Sequence, residues 1–331
     1  MPYEVPYVAI LDVGHGNSAI IKGEKLTVVI DCGSKSSGLY DFLKQEDIHK
    51  IDKVYISHSD HDHIGGLTGI ISTGEFEIAE ILLNSDATQG SNAWNDLAYT
   101  AEELHEAGKT IISAGLLREA ELIDCGSFFL EITGPTTYLT LKGAGGKDSQ
   151  GRTITSNSLS ASFRIINGNN SFAYLAGDLD QIGFDDLIRA KADLNAAVLV
   201  FPHHGGKAGA VDPIPFTKAL CESVSPNTVL FSMGRDKFEN PRPEIVEIVK
   251  NNLKNVRIAC TQLSRYCAKK INVTDYLHLS DAFSKGREKK LCCSGTFIIN
   301  IGDPIAYSPQ VDLHRSFIDK YTETPLCITK D

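Results

Sequence analysis

Short apolar runs bounded by polar and turn-forming residues dominate the first half of the chain. Residues 8–11, 19–22 and 26–30 are apolar or alternating, are flanked by Gly, Asn and Asp, and read as strands. Residues 54–57 form another such run and end at a dense group of histidines and aspartates. A helix start follows at 64–71. Residues 92–107 carry apolar positions at helical spacing, with Gly108 as the stop. The polar, Gly-rich stretch 134–158 reads as a long loop. Strands resume at 159–166 and 172–176, a helix at 180–192, and strands at 196–201 and 228–232. A helix at 243–253 has Pro243 in its first turn. Clustered strands with helices between and after them fit an α/β sandwich whose strand ends carry the polar residues.

From about Val256 the chain becomes richer in Cys and in basic residues. The expected organisation is a main domain over 1–255 and a Cys-rich, basic extension over 256–331, packed on the same fold without a flexible linker. No repeat and no low-complexity tract interrupts this pattern.

Composition adds limits. With 331 residues, 42% hydrophobic and 22% charged, the chain can bury a large core. No apolar run approaches the roughly 20 residues that span a bilayer, so no membrane association is expected. The N-terminus lacks a basic start and a small-residue cleavage site, which points to the cytoplasm. The eight cysteines fit that compartment, and the scattered Cys32, Cys125, Cys221 and Cys327 are expected to be reduced there. The net charge of −10 argues against a broad, non-specific nucleic-acid surface. Between Val246 and Lys290, however, ten Lys/Arg face four acids. That stretch reads as a solvated helical face or, more sharply, as a patch that meets phosphates.

The strongest chemical signal is His58-Ser59-Asp60-His61-Asp62-His63-Ile64-Gly65-Gly66, three imidazoles and two carboxylates between an apolar strand and a glycine pair. This donor set suits Zn²⁺, Mn²⁺ or Fe²⁺, and one tight turn can serve two ions. Three weaker signals have the same form, a strand ending in ligand-type residues. They are Ile30-Asp31-Cys32-Gly33, Leu175-Ala176-Gly177-Asp178 and Phe201-Pro202-His203-His204-Gly205-Gly206. Four such strand ends make one convergent site the economical reading. Separately, Cys260, Cys267, Cys292 and Cys293, with His278 nearby, could hold a structural zinc, although their spacing is not that of a CxxC knuckle.

The order of these motifs resembles the metallo-β-lactamase superfamily. Asp60 stands where the common motif has His. That variant, with Leu11-Asp12-Val13-Gly14-His15-Gly16-Asn17-Ser18 and Asn157-Ser158, resembles the nuclease-like domain of bacterial competence DNA-uptake channel proteins, here as a stand-alone relative. The resemblance runs from about Val8 to Leu253. It implies a metallo-β-lactamase αββα sandwich with a C-terminal extension. It also implies two divalent ions, Zn²⁺ or Mn²⁺, and hydrolysis by a metal-activated hydroxide. His58 and Asp60 would hold the first ion, Asp62 and His63 the second, and Asp178 would bridge them. One of His203 and His204 would complete the second site, with His203 favoured. Asp31 and Asn157 would support the ligands from behind. The remaining imidazole of that pair, or His61, would protonate the leaving group.

The carboxylate-rich set makes Mn²⁺ a competitor to Zn²⁺ and favours a phosphodiester; the nuclease-like resemblance and the local basic patch put DNA first. A small phosphodiester, such as a cyclic nucleotide or a phosphocholine ester, is the second reading. His15, Asn17 and Asn240 stand where the family has Gln, Asp and His. They motivate a third reading, a metal-binding non-catalytic subunit with a protein partner in a bacterial defence assembly.

Overall fold

The computed structural model describes residues 3–84, 90–118, 121–208, 212–235, 237–301 and 307–328. Strands β1 (Tyr7–Ile10), β2 (Ser18–Lys22), β3 (Thr27–Cys32), β4 (Lys50–Ile56), β5 (Glu77–Leu83) and β6 (Ile111–Ala114) lie side by side in chain order. The first three are antiparallel, and β3 to β6 run parallel. Strands β7 (Ile123–Asp124), β8 (Phe129–Gly134), β9 (Ser162–Asn167), β10 (Asn170–Leu175), β11 (Val198–Val200), β12 (Thr228–Phe231) and β13 (Arg257–Cys260) build a second sheet, again in chain order. Its β10 to β13 are parallel. Strands β14 (Phe297–Asn300) and β15 (Tyr307–Ser308) return to the first sheet, where β14 pairs with β1.

The central strands are apolar on both faces because both faces are covered. In β4 the period of two separates the partners. Tyr55 packs towards the second sheet, its ring 5.4 Å from that of Phe163. Val54 and Ile56 instead join Phe42, Leu43, Leu67, Ile70 and Leu97, from the helices Ser36–Gln45, Leu67–Thr73 and Asn92–Glu106. The second sheet does the same. Its Tyr174, Leu199 and Val229 pack on Phe184, Leu187, Phe216, Leu220, Ile245 and Val249 of the helices Gln181–Arg189, Pro213–Val224 and Pro243–Asn252. The result is the αββα sandwich.

Two expectations need correction. Residues 134–158 are not all loop: they hold the helix Thr137–Lys142, started by the Thr136 hydroxyl, and run into the turn Asn157–Leu159. Leu139, Ile154 and Leu159 make a small core of their own there, which the Gly-rich composition hides. The helix expected at 64–71 is two short helices, His61–Ile64 and Leu67–Thr73. Residues 256–331 are built into both sheets. They supply β13 to one sheet and β14 to the other. They also enclose Asp12, whose carboxylate accepts from Gln262 Nε2 at 2.8 Å, Gly286 N at 2.9 Å and Cys292 Sγ at 3.3 Å.

Candidate metal centre

The site lies where the carboxyl ends of the parallel strands meet. Asp31 ends β3, Ser57 and His58 follow β4, Asp178 follows β10, and His203 and His204 follow β11. The loops carrying them touch backbone to backbone. Gly66 N donates to Gly33 O at 3.0 Å, and Asn17 N to Asp62 O at 3.2 Å. A Cβ on Gly66 would lie 2.1 Å from Cys32 O, so only glycine allows this approach.

Hydrogen bonds fix which nitrogen of each ring is left over. Asp31 accepts from Ser57 N, from Ser57 Oγ at 2.8 Å and from His63 Nδ1 at 2.7 Å. With the Ser57 hydroxyl proton committed to Asp31, its oxygen accepts from His58 Nδ1 at 3.0 Å. His204 Nδ1 donates to Ser232 O at 2.6 Å. In all three rings Nε2 is thereby turned towards carboxylates. His58 Nε2 lies 3.5 Å from Asp60 Oδ2 and 3.9 Å from Asp178 Oδ2. His63 Nε2 lies 3.5 Å from Asp178 Oδ1, and His204 Nε2 lies 3.1 Å from Asp62 Oδ2 and 3.9 Å from Asp178 Oδ1. The Nε2 atoms of His58 and His63 are buried and have no hydrogen-bond partner. A ring lone pair facing a carboxylate oxygen is repulsive unless a cation lies between them. The donor set therefore fits metal ions.

Among the described residues, the donors close into two groups with ligand atoms within 4.8 Å of one another: His58, His63 and Asp178, and His15, Asp62 and His204. The two oxygens of Asp178 divide the rings. Oδ1 faces His63 and His204, while Oδ2 faces His58 and His203 Nδ1, the latter at 3.5 Å. The electrostatics show the same demand for positive charge. Burial opposes ionisation of Asp62 and Asp178, but the neighbouring imidazoles outweigh it and hold both carboxyls below the usual range. Burial likewise opposes a charge on His63, and Asp31 with Asp178 overrides it and raises the ring.

The structure gathers His58, Asp60, Asp62, His63, Asp178 and both His203 and His204. It corrects the preference between the last two, because it is His204 that points at Asp62. Both residues are left-handed, with φ of 52° and 55°, and this turn swings the second ring inward. Asp31 lies behind His63, and Asn157 lines the cleft. His61 is exposed and does not line the cleft, so it is poorly placed for proton transfer there. His15 is the residue that sequence reasoning missed. Its Nε2 lies 3.0 Å from Asp62 Oδ2 and its ring 4.6 Å from that of His204. The signal was present as an imidazole in the glycine loop after β1, but only the fold brings that loop to Asp62.

The cysteines do not form a zinc set. Cys292 Sγ donates to Asp12, and none of Cys260, Cys267 and Cys293 belongs to a group of described donors that closes to ion-holding distance. Burial raises the Cys260, Cys267 and Cys293 thiols, which keeps them protonated and inert. None of residues 246–290 is among the described residues that line the cleft. Among the described residues, the cations lining the open cleft are Lys207, Lys237 and Arg242.

Residues 11–137 match the family model described as the metallo-beta-lactamase superfamily. No curated protein matches the chain by sequence. Among solved structures, unliganded yeast PDE1 is similar at 14% identity and a TM-score of 0.50, over 77% of this chain and 98% of that one. The metallo-beta-lactamase fold protein YhfI from Bacillus subtilis is similar at 16% identity and a TM-score of 0.45, over 77% and 97%. A diphosphatase from the PhnP family is similar at 12% identity and a TM-score of 0.42, over 76% and 94%. The match over residues 11–137 includes the His58–Gly66 motif, and the two sheets stacked between helices have the αββα architecture of the metallo-β-lactamase fold.

Proposed function

We propose that the protein is a metal-dependent phosphodiesterase that holds two divalent ions, Zn²⁺ or Mn²⁺, and acts on nucleic acid, DNA being the favoured substrate. The observation that carries this reading is the set of buried Nε2 atoms turned on carboxylates around Asp178. His58, Asp60, Asp62, His63, Asp178 and His204 would hold the two ions, with His15 against Asp62. Bound there, two such ions make water a nucleophile near neutral pH and offset charge on the phosphoryl group.

The chain's own residues do the rest. Asp31 and Ser57 lock the His58 and His63 rings, and Ser232 O locks His204. Lys207, Lys237 and Arg242 attract the substrate's phosphates to a molecule that is otherwise acidic. His203 lines the cleft, is anchored beside Asp178, and is assigned the proton exchange with the leaving oxygen. Three carboxylates among the donors favour phosphodiester over lactam chemistry and keep Mn²⁺ in competition.

The small phosphodiester is the second reading, supported by the net charge of −10 and by a cleft with only three cations among its described lining. Metal analysis and turnover of His63→Ala and Asp178→Ala test the centre. Both variants are expected to lose bound metal and hydrolysis, and unchanged metal content and turnover in both would sink the scheme. Single-stranded DNA, plasmid and bis(p-nitrophenyl) phosphate, offered in parallel with Mn²⁺ or Zn²⁺, separate the substrates. Cleavage of the small ester alone supports the second reading. Full metal occupancy without any cleavage supports a non-catalytic partner subunit.

A further inference from the structure

We propose that Phe238 is a stacking platform for an unpaired nucleobase, so that the cleft takes a nucleoside phosphodiester whose base lies outside a duplex. The proposal rests on the phosphodiesterase reading and narrows it.

Phe238 is 53% exposed, and among the described residues it is the one exposed large apolar side chain that lines the cleft. A phenyl ring left in water gains little from burial, so packing alone is a weak reason for its place. Its position relative to the donors is specific. Its ring lies 4.6 Å from that of His15, which lies 4.6 Å from that of His204 and reaches Asp62 through Nε2 at 3.0 Å. The three rings form a series from the metal donors to the rim. A phosphodiester held at the donors would therefore have its nearest substituent beside the phenyl.

Charge on the same wall completes the recognition surface. Lys237 Nζ lies 5.6 Å from the Phe238 ring centroid, and Lys207 and Arg242 line the cleft with Glu239 among the described residues. Cations for the backbone beside an aromatic face for the base is the combination that binds single strands without sequence preference. In a duplex both faces of each base are covered by its neighbours, so only an unpaired base can use the ring.

The test compares two esters that share a leaving group: thymidine 5′-(p-nitrophenyl phosphate) and methyl p-nitrophenyl phosphate. Phe238→Leu keeps an apolar cover over His15 and removes the aromatic face. It is expected to lower the ratio of kcat/KM for the nucleoside ester over the methyl ester by about tenfold, with Phe238→Tyr restoring it. Fluorescence anisotropy of labelled oligo-dT, alone and annealed to oligo-dA, is measured on the same proteins. The single strand is expected to bind the native protein about tenfold more tightly than it binds Phe238→Leu, with the duplex indifferent to the substitution. An unchanged ester ratio together with unchanged oligo-dT affinity overturns the proposal. A loss in the ester ratio without any oligo-dT binding assigns the platform to a free nucleotide ester, and losses in both assign it to a strand. Native protein that cuts the methyl ester while Phe238→Leu changes neither ratio nor affinity leaves the phosphodiesterase standing without the platform. Native protein that, with Mn²⁺ or Zn²⁺, cuts neither ester nor single-stranded DNA removes the phosphodiesterase reading itself, and the anisotropy then decides the platform alone.

Discussion

Asp31 has no room to be a ligand, because its carboxylate is filled by Ser57 N, Ser57 Oγ and His63 Nδ1. It acts by keeping the proton of His63 on Nδ1. Asp31→Asn replaces one acceptor oxygen by an amide that must donate, and His63 then loses its orientation. Metal affinity should fall about 10- to 100-fold while the protein still melts cooperatively. Titration of Mn²⁺ into the stripped protein measures this, and unchanged affinity would remove His63 from the ligand set. Gly177 sets Asp178 in the same way through the backbone. Its φ is +57°, and a Cβ there would meet Ser160 Oγ at 2.5 Å and Ala161 O at 2.9 Å. Gly177→Ala should cost about 1–3 kcal/mol in urea unfolding and weaken metal binding through Asp178. At this scale the candidate ligands were legible because each group of them comes soon after a short apolar strand. The choice between His203 and His204 was not, because it depends on two successive left-handed residues that sequence spacing does not reveal. His15 was hidden for a different reason. The Ser232 hydroxyl bonds Gly16 O, and this contact across 216 positions brings the glycine loop to the site.

The elements themselves were legible where apolar residues ran together, as in β1 to β4, and less so where charges interrupt them. β5 reads EIAEILL. Glu77 is exposed and Glu80 half-buried, beside Lys50 and Lys53 of β4, so a parallel strand that buries Ile78, Ile81 and Leu83 looks polar in sequence. The helix Ser36–Gln45 shows another contribution from an element's end. Glu46 follows it and is 5% exposed, with Oε2 accepting from Tyr3 N at 2.8 Å and Oε1 unpartnered. Burial raises this carboxyl above its ordinary range, outweighing the bonds from Tyr3 and Tyr7. A folded-state value above the unfolded one means the folded chain holds the proton more tightly. The stability Glu46 contributes is thus present below the ordinary carboxyl range and lost as pH rises through the raised value. Glu46→Gln keeps an acceptor for Tyr3 N without the charge. Its melting temperature should exceed that of the native protein at neutral pH, and the gap should close towards about pH 4. A gap that widens on acidification would refute the assignment.

Over the whole molecule, the boundary at 255 suggested by the change in composition divides a fold that is continuous. Its composition reflects chemistry at the surface, where Lys269, Lys270, Lys289 and Lys290 are exposed, and not the strands beneath. β14 covers the edge of β1, and β13 covers the edge of β12. Phe297 and Ile299 enter the core between the sheets together with Val8 and Ile10, so the last third of the chain completes the packing of the first strand. Asp12 ties the same regions at the loop leading to His15. Three of the four donors on its carboxylate come from Gln262, Gly286 and Cys292, and only Gly14 comes from its own neighbourhood. Ending the chain at residue 255 would expose two sheet edges and strand a buried carboxylate in an apolar setting. A chain cut there should show no cooperative melt by circular dichroism and should aggregate on size-exclusion chromatography. A monomeric fragment with a sharp transition would instead mean that the first sheet holds without β14. The metal centre would then be separable from the segment that encloses Asp12, and the protein would consist of two parts where its strand pairing makes one.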